Sequence, residues 1–276
     1  TAYEIVSRDW SSDVCSSDLV NIRKRVIRAF SLNDLITAGT LSENFAQLLR
    51  DILKSNLNIL VSGATQAGKT TVLNCLLGEL QKFSRLITIE EVFELNPKVA
   101  DHVAMQTRQA SLDGVGEVTL RMLVRESLRM RPTHIAIGEV RGAEALDLLL
   151  AFNSGIPGAA SIHANSPVDA LRKMSALTLL AGTNIGRDFS NEAVRNNIDL
   201  VIHCEKDSDG TRRISGIALT NKNSLDSILR VEPLITWKNQ QYELSKIDFD
   251  NYPKLHFLQK NFSFNNLNNS HQGRTN

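Results

Sequence analysis

Eight consecutive residues, Gly63, Ala64, Thr65, Gln66, Ala67, Gly68, Lys69 and Thr70, match the pattern GxxxxGK[ST]. Glycines at its two ends let a loop wrap closely, so that backbone N–H groups and a following helix N-terminus point at the β- and γ-phosphates of a nucleotide. Lys69 adds a positive charge, the Thr70 hydroxyl is a ligand for Mg2+, and Thr71 after it is counted with the loop among the candidate nucleotide-binding residues. The chemistry implied is binding of a nucleoside triphosphate. An NKxD guanine-reading motif is missing, because 221–224 reads Asn-Lys-Asn-Ser, and so is an LSGGQ-type signature. These gaps argue against a GTPase and an ABC ATPase.

Hydrolysis also needs a carboxylate that orients water near the γ-phosphate. Residues 85–94 form an apolar run ending in Glu90, Glu91 and Glu94, and residues 134–139 form another ending in Glu139, the form of a Walker B element that organises Mg2+ and its waters. The first cluster reads equally as a solvated acidic turn. Arg121, Arg125 and Arg129 are spaced by four along a predicted helix, with Arg131 beyond. Their shared face serves either a nucleotide on a neighbouring subunit or a salt-bridged surface, and the same question attaches to Arg108 and Arg141. His163 closes a further apolar run, where it bonds a phosphate or a catalytic acid, or is a satisfied structural histidine.

These residues require strands that end in loops at one edge of a sheet. Strand-like runs at 57–61, 85–90, 134–138, 159–163 and 199–203 alternate with helical patterns at 118–130, 143–153 and 168–180. That alternation predicts an α/β fold with a mostly parallel sheet covered on both faces. Two helices are expected before it, one starting at a Ser31 or Asn33 cap and ending at Gly39, the other over about 42–54. After 212 the pattern shortens to strand-like pieces, 213–219, 229–237 and 241–247, an antiparallel appendage.

The composition is that of an ordinary globular chain. Of 276 residues, 42% are hydrophobic and 22% charged, with a net charge of +1. That balance, with aromatics at 5%, leaves no basic, aromatic-interleaved patch for nucleic acid. No apolar run approaches the roughly 18 residues needed to span a bilayer, and no secretory leader is visible. Cys15, Cys75 and Cys204 make neither a disulfide framework nor a zinc site, which suits a reducing cytoplasm.

Taken together, GATQAGKT, ITIEEVFEL, HVAMQTR, GEVTLRMLVRESLRMRP, HIAIGEVRGAEALDLL and GAASIHANSPVDAL resemble, in order, the motifs of the secretion (traffic) ATPase superfamily. The likeness covers about 21–205 and is nearest to the tight-adherence (Flp) pilus ATPases of the type II/IV secretion group. It implies a RecA-like P-loop motor domain preceded by a smaller N-terminal domain, assembled as a homohexamer. Such motors are peripheral at the cytoplasmic face of the inner membrane, where ATP hydrolysis acts through a membrane platform protein on pilin or a secreted substrate.

By that resemblance Glu90, Glu91 and Glu94 occupy the Asp box, Glu139 the Walker B position and His163 the His box. Arg23 and Arg108 become candidates for phosphate contacts. Glu91 stands where Asp is usual, and Gln66 where Gly is frequent. The expected cofactors are ATP and Mg2+. The alternatives are a conjugative type IV secretion ATPase, or a nucleotide-binding structural subunit without turnover. The expected organisation is a foreign segment at 1–20, with a Ser/Asp-rich repeat resembling translated sequencing adaptor, then the end of an N-terminal domain and linker helices at 21–54. The motor domain follows at 55–210, C-terminal strands at 211–250, and an Asn-rich tail at 251–276.

Overall fold

The computed structural model describes residues 29–223, 228–256 and 258. Arg23, the segment 1–20 and residues 257 and 259–276 of the Asn-rich tail lie outside the described residues, while Tyr252, Leu255 and Leu258 at the start of that tail are buried in the core.

The chain enters through α1 (Leu32–Thr37), which Ser31 caps in a reciprocal box with Asp34. It turns at Gly39, whose φ of 72° is left-handed, and forms α2 (Glu43–Lys54), capped by Ser42. The apolar stripe of α2 places Phe45, Leu48, Leu49 and Ile52 at one percent exposure or less. These helices share a core with the sheet rather than standing apart from it.

Then come β1 (Ile59–Gly63), α3 (Lys69–Gly78), β2 (Arg85–Glu90), β3 (Asp101–Gln106), α4 (Leu120–Ser127), β4 (His134–Ile137), α5 (Glu144–Asn153), β5 (Gly158–His163), α6 (Pro167–Thr178), α7 (Arg187–Asn197) and β6 (Leu200–Lys206). The chain continues into β7 (Arg212–Thr220), β8 (Val231–Lys238) and β9 (Gln241–Leu244). Among the described residues these strands form one sheet in the order β3-β2-β4-β5-β1-β6-β7-β8-β9. The pairs from β3 to β6 are all parallel, and β7 to β9 join antiparallel. The expected mostly parallel α/β sheet is present, and its antiparallel portion extends the same sheet.

Burial on both faces follows from the period of two along each strand. Ile59 and Val61 of β1 and Leu200 and Ile202 of β6 face the core shared with α1, α2 and α3, whereas Leu60 and Val201 face the other core. There α4, α5, α6 and α7 pack through Leu123, Val124, Leu148, Leu171 and Val194. The C-terminal strands are tied to the first helices by Tyr242, whose ring stacks on Phe45 with centroids 4.5 Å apart and whose hydroxyl donates to the Ile214 carbonyl.

Candidate functional site

The four strands that carry the chemistry, β2, β4, β5 and β1, are consecutive neighbours in the sheet. All run the same way, so Gly63, Glu90, Glu139 and His163 emerge at one edge, where the carboxyl ends of parallel strands open. Register does the finer positioning. Gly63 of β1 lies beside His163 of β5, and the Gly138 N–H donates to the Ile89 carbonyl, so that Glu139 leaves β4 one strand away from the Glu90 turn.

The phosphate-binding pattern forms the strand, loop and helix arrangement it predicts. Gly63 must be glycine, since a Cβ there would sit 2.2 Å from the Cys204 carbonyl oxygen. Gly68, with φ of 95°, hands the chain into α3. Gln66 also takes a left-handed φ, 62°, a conformation that costs a non-glycine residue about 1 kcal/mol or more. The departure from the usual glycine at this position is therefore a local cost that the surroundings must hold.

Lys69 is the head of a chain of contacts. Its ammonium donates to the Ala64 carbonyl at 2.9 Å and to Nδ1 of His163 at 3.1 Å. Nε2 of His163 lies 3.0 Å from Oε1 of Glu139. The two partners select the tautomer, with Nδ1 accepting and Nε2–H donating. Burial and the adjacent Lys69 charge push the His163 pKa below its ordinary value against the opposing Glu139 charge, which favours the neutral ring. Burial likewise pulls the Lys69 pKa down, opposed by the Glu139 charge. Glu139 then accepts from Arg141 at 2.7 Å, and Arg141 donates to Glu91 at 2.8 Å. The hydrogen bond that Arg141 donates to Glu139, with the two neighbouring carboxylate charges, raises the Arg141 pKa. Glu144, at the start of α5, receives the backbone N–H groups of Arg141 and Gly142 at 2.6 and 2.8 Å and fixes this loop.

Not every expected residue joins that group. Glu90 is buried, and its Oε1 accepts the backbone N–H groups of Glu94 and Leu95 at 2.9 and 3.0 Å. It shapes the acidic turn, with Gly138 packed so closely that a Cβ would lie 2.8 Å from the Glu90 Cγ. Glu94 accepts from the Thr70 hydroxyl at 3.2 Å, while Glu91 points to Arg141. Arg108 is occupied locally, donating to the Gly116 carbonyl at 2.7 Å. Arg121 and Arg125 both grip the buried carboxylate of Asp147 on α5, at 2.6 and 2.8 Å, and Arg129 pairs with Glu126 on the surface. All three arginines of the row are thus ion-paired within the chain.

A cleft of about 450 Å³ opens beside the loop, lined by Ala64, Thr65, His163, Ala164, Asn165, Asp169 and Lys173. Asp169 and Lys173 are four apart on α6, a helical spacing that offered no hint of the phosphate loop. Among the described residues no group of three or more His, Cys, Asp or Glu side chains could hold a metal ion alone. The Thr70 hydroxyl, 3.2 Å from Glu94, and the Glu139 carboxylate, linked through His163 to Lys69, are the oxygens that would hold a magnesium arriving on phosphate oxygens with its waters. No helix among the described residues is long and apolar enough to cross a membrane.

Residues 14–205 match the model of a family described as Type II/IV secretion system protein. A Mycobacterium tuberculosis protein named for conjugal transfer is 40% identical over 198 residues, covering 71% of this chain and 56% of that protein. Conjugal transfer protein TrbB of Rhizobium radiobacter is 32% identical over 203 residues, 72% of this chain and 59% of the relative. The chain thus spans little more than half the length of these curated relatives. The VirB11 ATPase of the Brucella suis type IV secretion system, solved in complex with sulphate, has the same fold with a TM-score of 0.57 at 27% identity, over 72% of this chain and 65% of that one.

Proposed function

Because the chain belongs to the type II/IV secretion system protein family, we propose that it is an ATPase of such a system, binding ATP with magnesium in the 63–70 loop and hydrolysing it to ADP and phosphate. The observation that supports this most directly is the continuous chain from Lys69 through His163 to Glu139. It ties the residue that neutralises phosphate to the carboxylate that orients water, through an imidazole held in one tautomer.

Each residue has a defined task in this reading. Lys69 and the loop bind the phosphates, and magnesium when bound supplies further charge neutralisation. Glu139, steadied by His163 on one oxygen and Arg141 on the other, presents its carboxylate to the attacking water. His163 links the carboxylate to Lys69, so a change in phosphate occupancy is felt at Glu139. Glu94 and Thr70 together hold the metal side of the loop.

The cargo divides two readings. The names of the relatives, conjugal transfer and type IV secretion, support a conjugative or type IV system at least as well as a tight-adherence pilus. In either, the working form is a homohexamer at the cytoplasmic face of the inner membrane, acting through a platform protein. A nucleotide-binding subunit without turnover is separated from both by experiment. Glu139→Gln should retain ATP and lose turnover by about 100-fold or more, a scale typical for loss of a positioned catalytic group. Lys69→Ala should lose binding as well. Calorimetric ATP binding and phosphate release measure the two. Binding by Lys69→Ala equal to that of the parent chain would refute the assignment, and binding without turnover in the parent would favour the structural subunit.

A further inference from the structure

Strand β6 runs past the phosphate loop before it turns back. Gly63, the last residue of β1, is level with Cys204, and β6 continues through Glu205 to Lys206. A tight hairpin follows, closed by the Asp207 N–H on the Thr211 carbonyl at 2.8 Å and the Gly210 N–H on the Asp207 carbonyl at 3.0 Å. The first residue of the returning strand is Arg212, paired with Lys206. Its Nε–H donates to the Gln66 carbonyl at 2.8 Å, and its aliphatic stem lies against Gly68, where an added Cβ would be 3.5 Å from its Cδ.

Gln66 is the residue of the loop that pays for a left-handed φ of 62° without being glycine. A cationic donor on its carbonyl fixes the orientation of the 66–67 peptide, the segment from which the loop curls toward Lys69. Arg212 thereby joins two parts of the chain 146 residues apart, and it lies beyond the family match, which ends at 205.

We propose that Arg212 is a positioning residue of the nucleotide site. It holds the phosphate loop in its binding shape by pinning the strained Gln66 peptide, so that the β6–β7 hairpin sets nucleotide affinity. The inference rests on reading 63–70 as the nucleotide site.

The test is ADP binding by calorimetry on the full chain, for the parent, Arg212→Ala, Arg212→Lys, Gln66→Gly and the double variant Gln66→Gly with Arg212→Ala. Loss of a hydrogen bond from a charged donor predicts about five- to tenfold weaker binding for Arg212→Ala. Arg212→Lys, which keeps a donor, should recover most of it. Gln66→Gly, in which glycine takes positive φ without strain, sets the reference affinity for its own background, whatever its value relative to the parent. In that background the arginine has less to hold, and its removal should cost less than about twofold. A general loss of folding would weaken both backgrounds equally, so the difference between them is the diagnostic readout. Unchanged affinity in Arg212→Ala, or an equal loss in both backgrounds, would overturn the proposal. If the parent itself bound no ADP, the nucleotide-site reading would fail and this role with it.

Discussion

Glu90→Ala would remove the carboxylate oxygen that accepts two successive backbone N–H groups, those of Glu94 and Leu95. Leu95 is buried at 4% exposure and Glu94 is half-buried, so one donor loses its acceptor out of reach of water and the other only partly so. An unsatisfied buried donor costs about 1–3 kcal/mol. The pair together should cost about 2–4 kcal/mol, and relief of the buried carboxylate's own desolvation brings the net to about 2–3 kcal/mol. For a chain of this size that lowers the melting temperature by about 5–10 °C. Glu90→Gln keeps an amide oxygen in the same place and should melt within about 3 °C of the parent. If Glu90 is structural, the glutamine variant should also retain ATP turnover within about fivefold. Thermal denaturation followed by circular dichroism, with phosphate release on the same samples, decides the matter. A Glu90→Gln protein that melts like the parent yet loses turnover by about 100-fold or more would show that the carboxylate acts in catalysis and that the turn-shaping role is secondary.

Acidity should weaken the fold earlier than carboxylate protonation alone would. His102, His134, His163 and His203 are all held below the ordinary histidine value of 6.5, in each case mainly by burial. Between their folded values and 6.5 the unfolded chain binds more protons, so stability is full above pH 6.5 and falls as pH drops below it. Melting temperature measured from pH 7.5 to 5 should decline through that window, and a flat or rising profile would contradict the burial of these rings. A second expectation concerns Asp147, buried between two arginines of which Arg121 is 30% and Arg125 61% exposed. Asp147→Ala strands a partly buried guanidinium and should cost about 2 kcal/mol, between the values for buried and exposed pairs. Arg125→Ala should cost about 1 kcal/mol or less, and chemical denaturation of the two variants would refute the picture if Arg125→Ala were equally damaging.

The elements that carry the chemistry were legible because their signals are local. Branched apolar runs mark β1, β2, β4 and β5, and a loop pattern between a strand and a helix has few other readings. The edge strand β3 was not legible as a strand, since its alternation is weak and its side chains are exposed or half-buried. Helix α7, with only Ser190, Val194 and Asn197 buried, offered little apolar periodicity to read. Within the site, sequence alone grouped Glu90, Glu91 and Glu94 as equivalent acids. Their division into a turn-shaping residue, a partner of Arg141 and a partner of Thr70 depends on strand register and on the tight approach of Gly138. The arginine row showed the same limit, because the carboxylate that claims Arg121 and Arg125 lies on a different helix. Arg212 carries no local signal at all, as its partner is reached only through the pairing of β6 with both β1 and β7.

The continuous sheet also bears on where this protein can be cut. Ending it at 205, where the family match stops, would strip β7 from β6 and leave the backbone hydrogen-bonding groups of Leu200, Val201 and Ile202 as a bare apolar edge. It would also remove Ile214, Ile217 and Leu219 from the core. An unprotected edge of that kind recruits strands from other chains. A minimal fragment drawn from the shared motifs alone would therefore be prone to aggregate, because the three antiparallel strands cover that edge of the sheet.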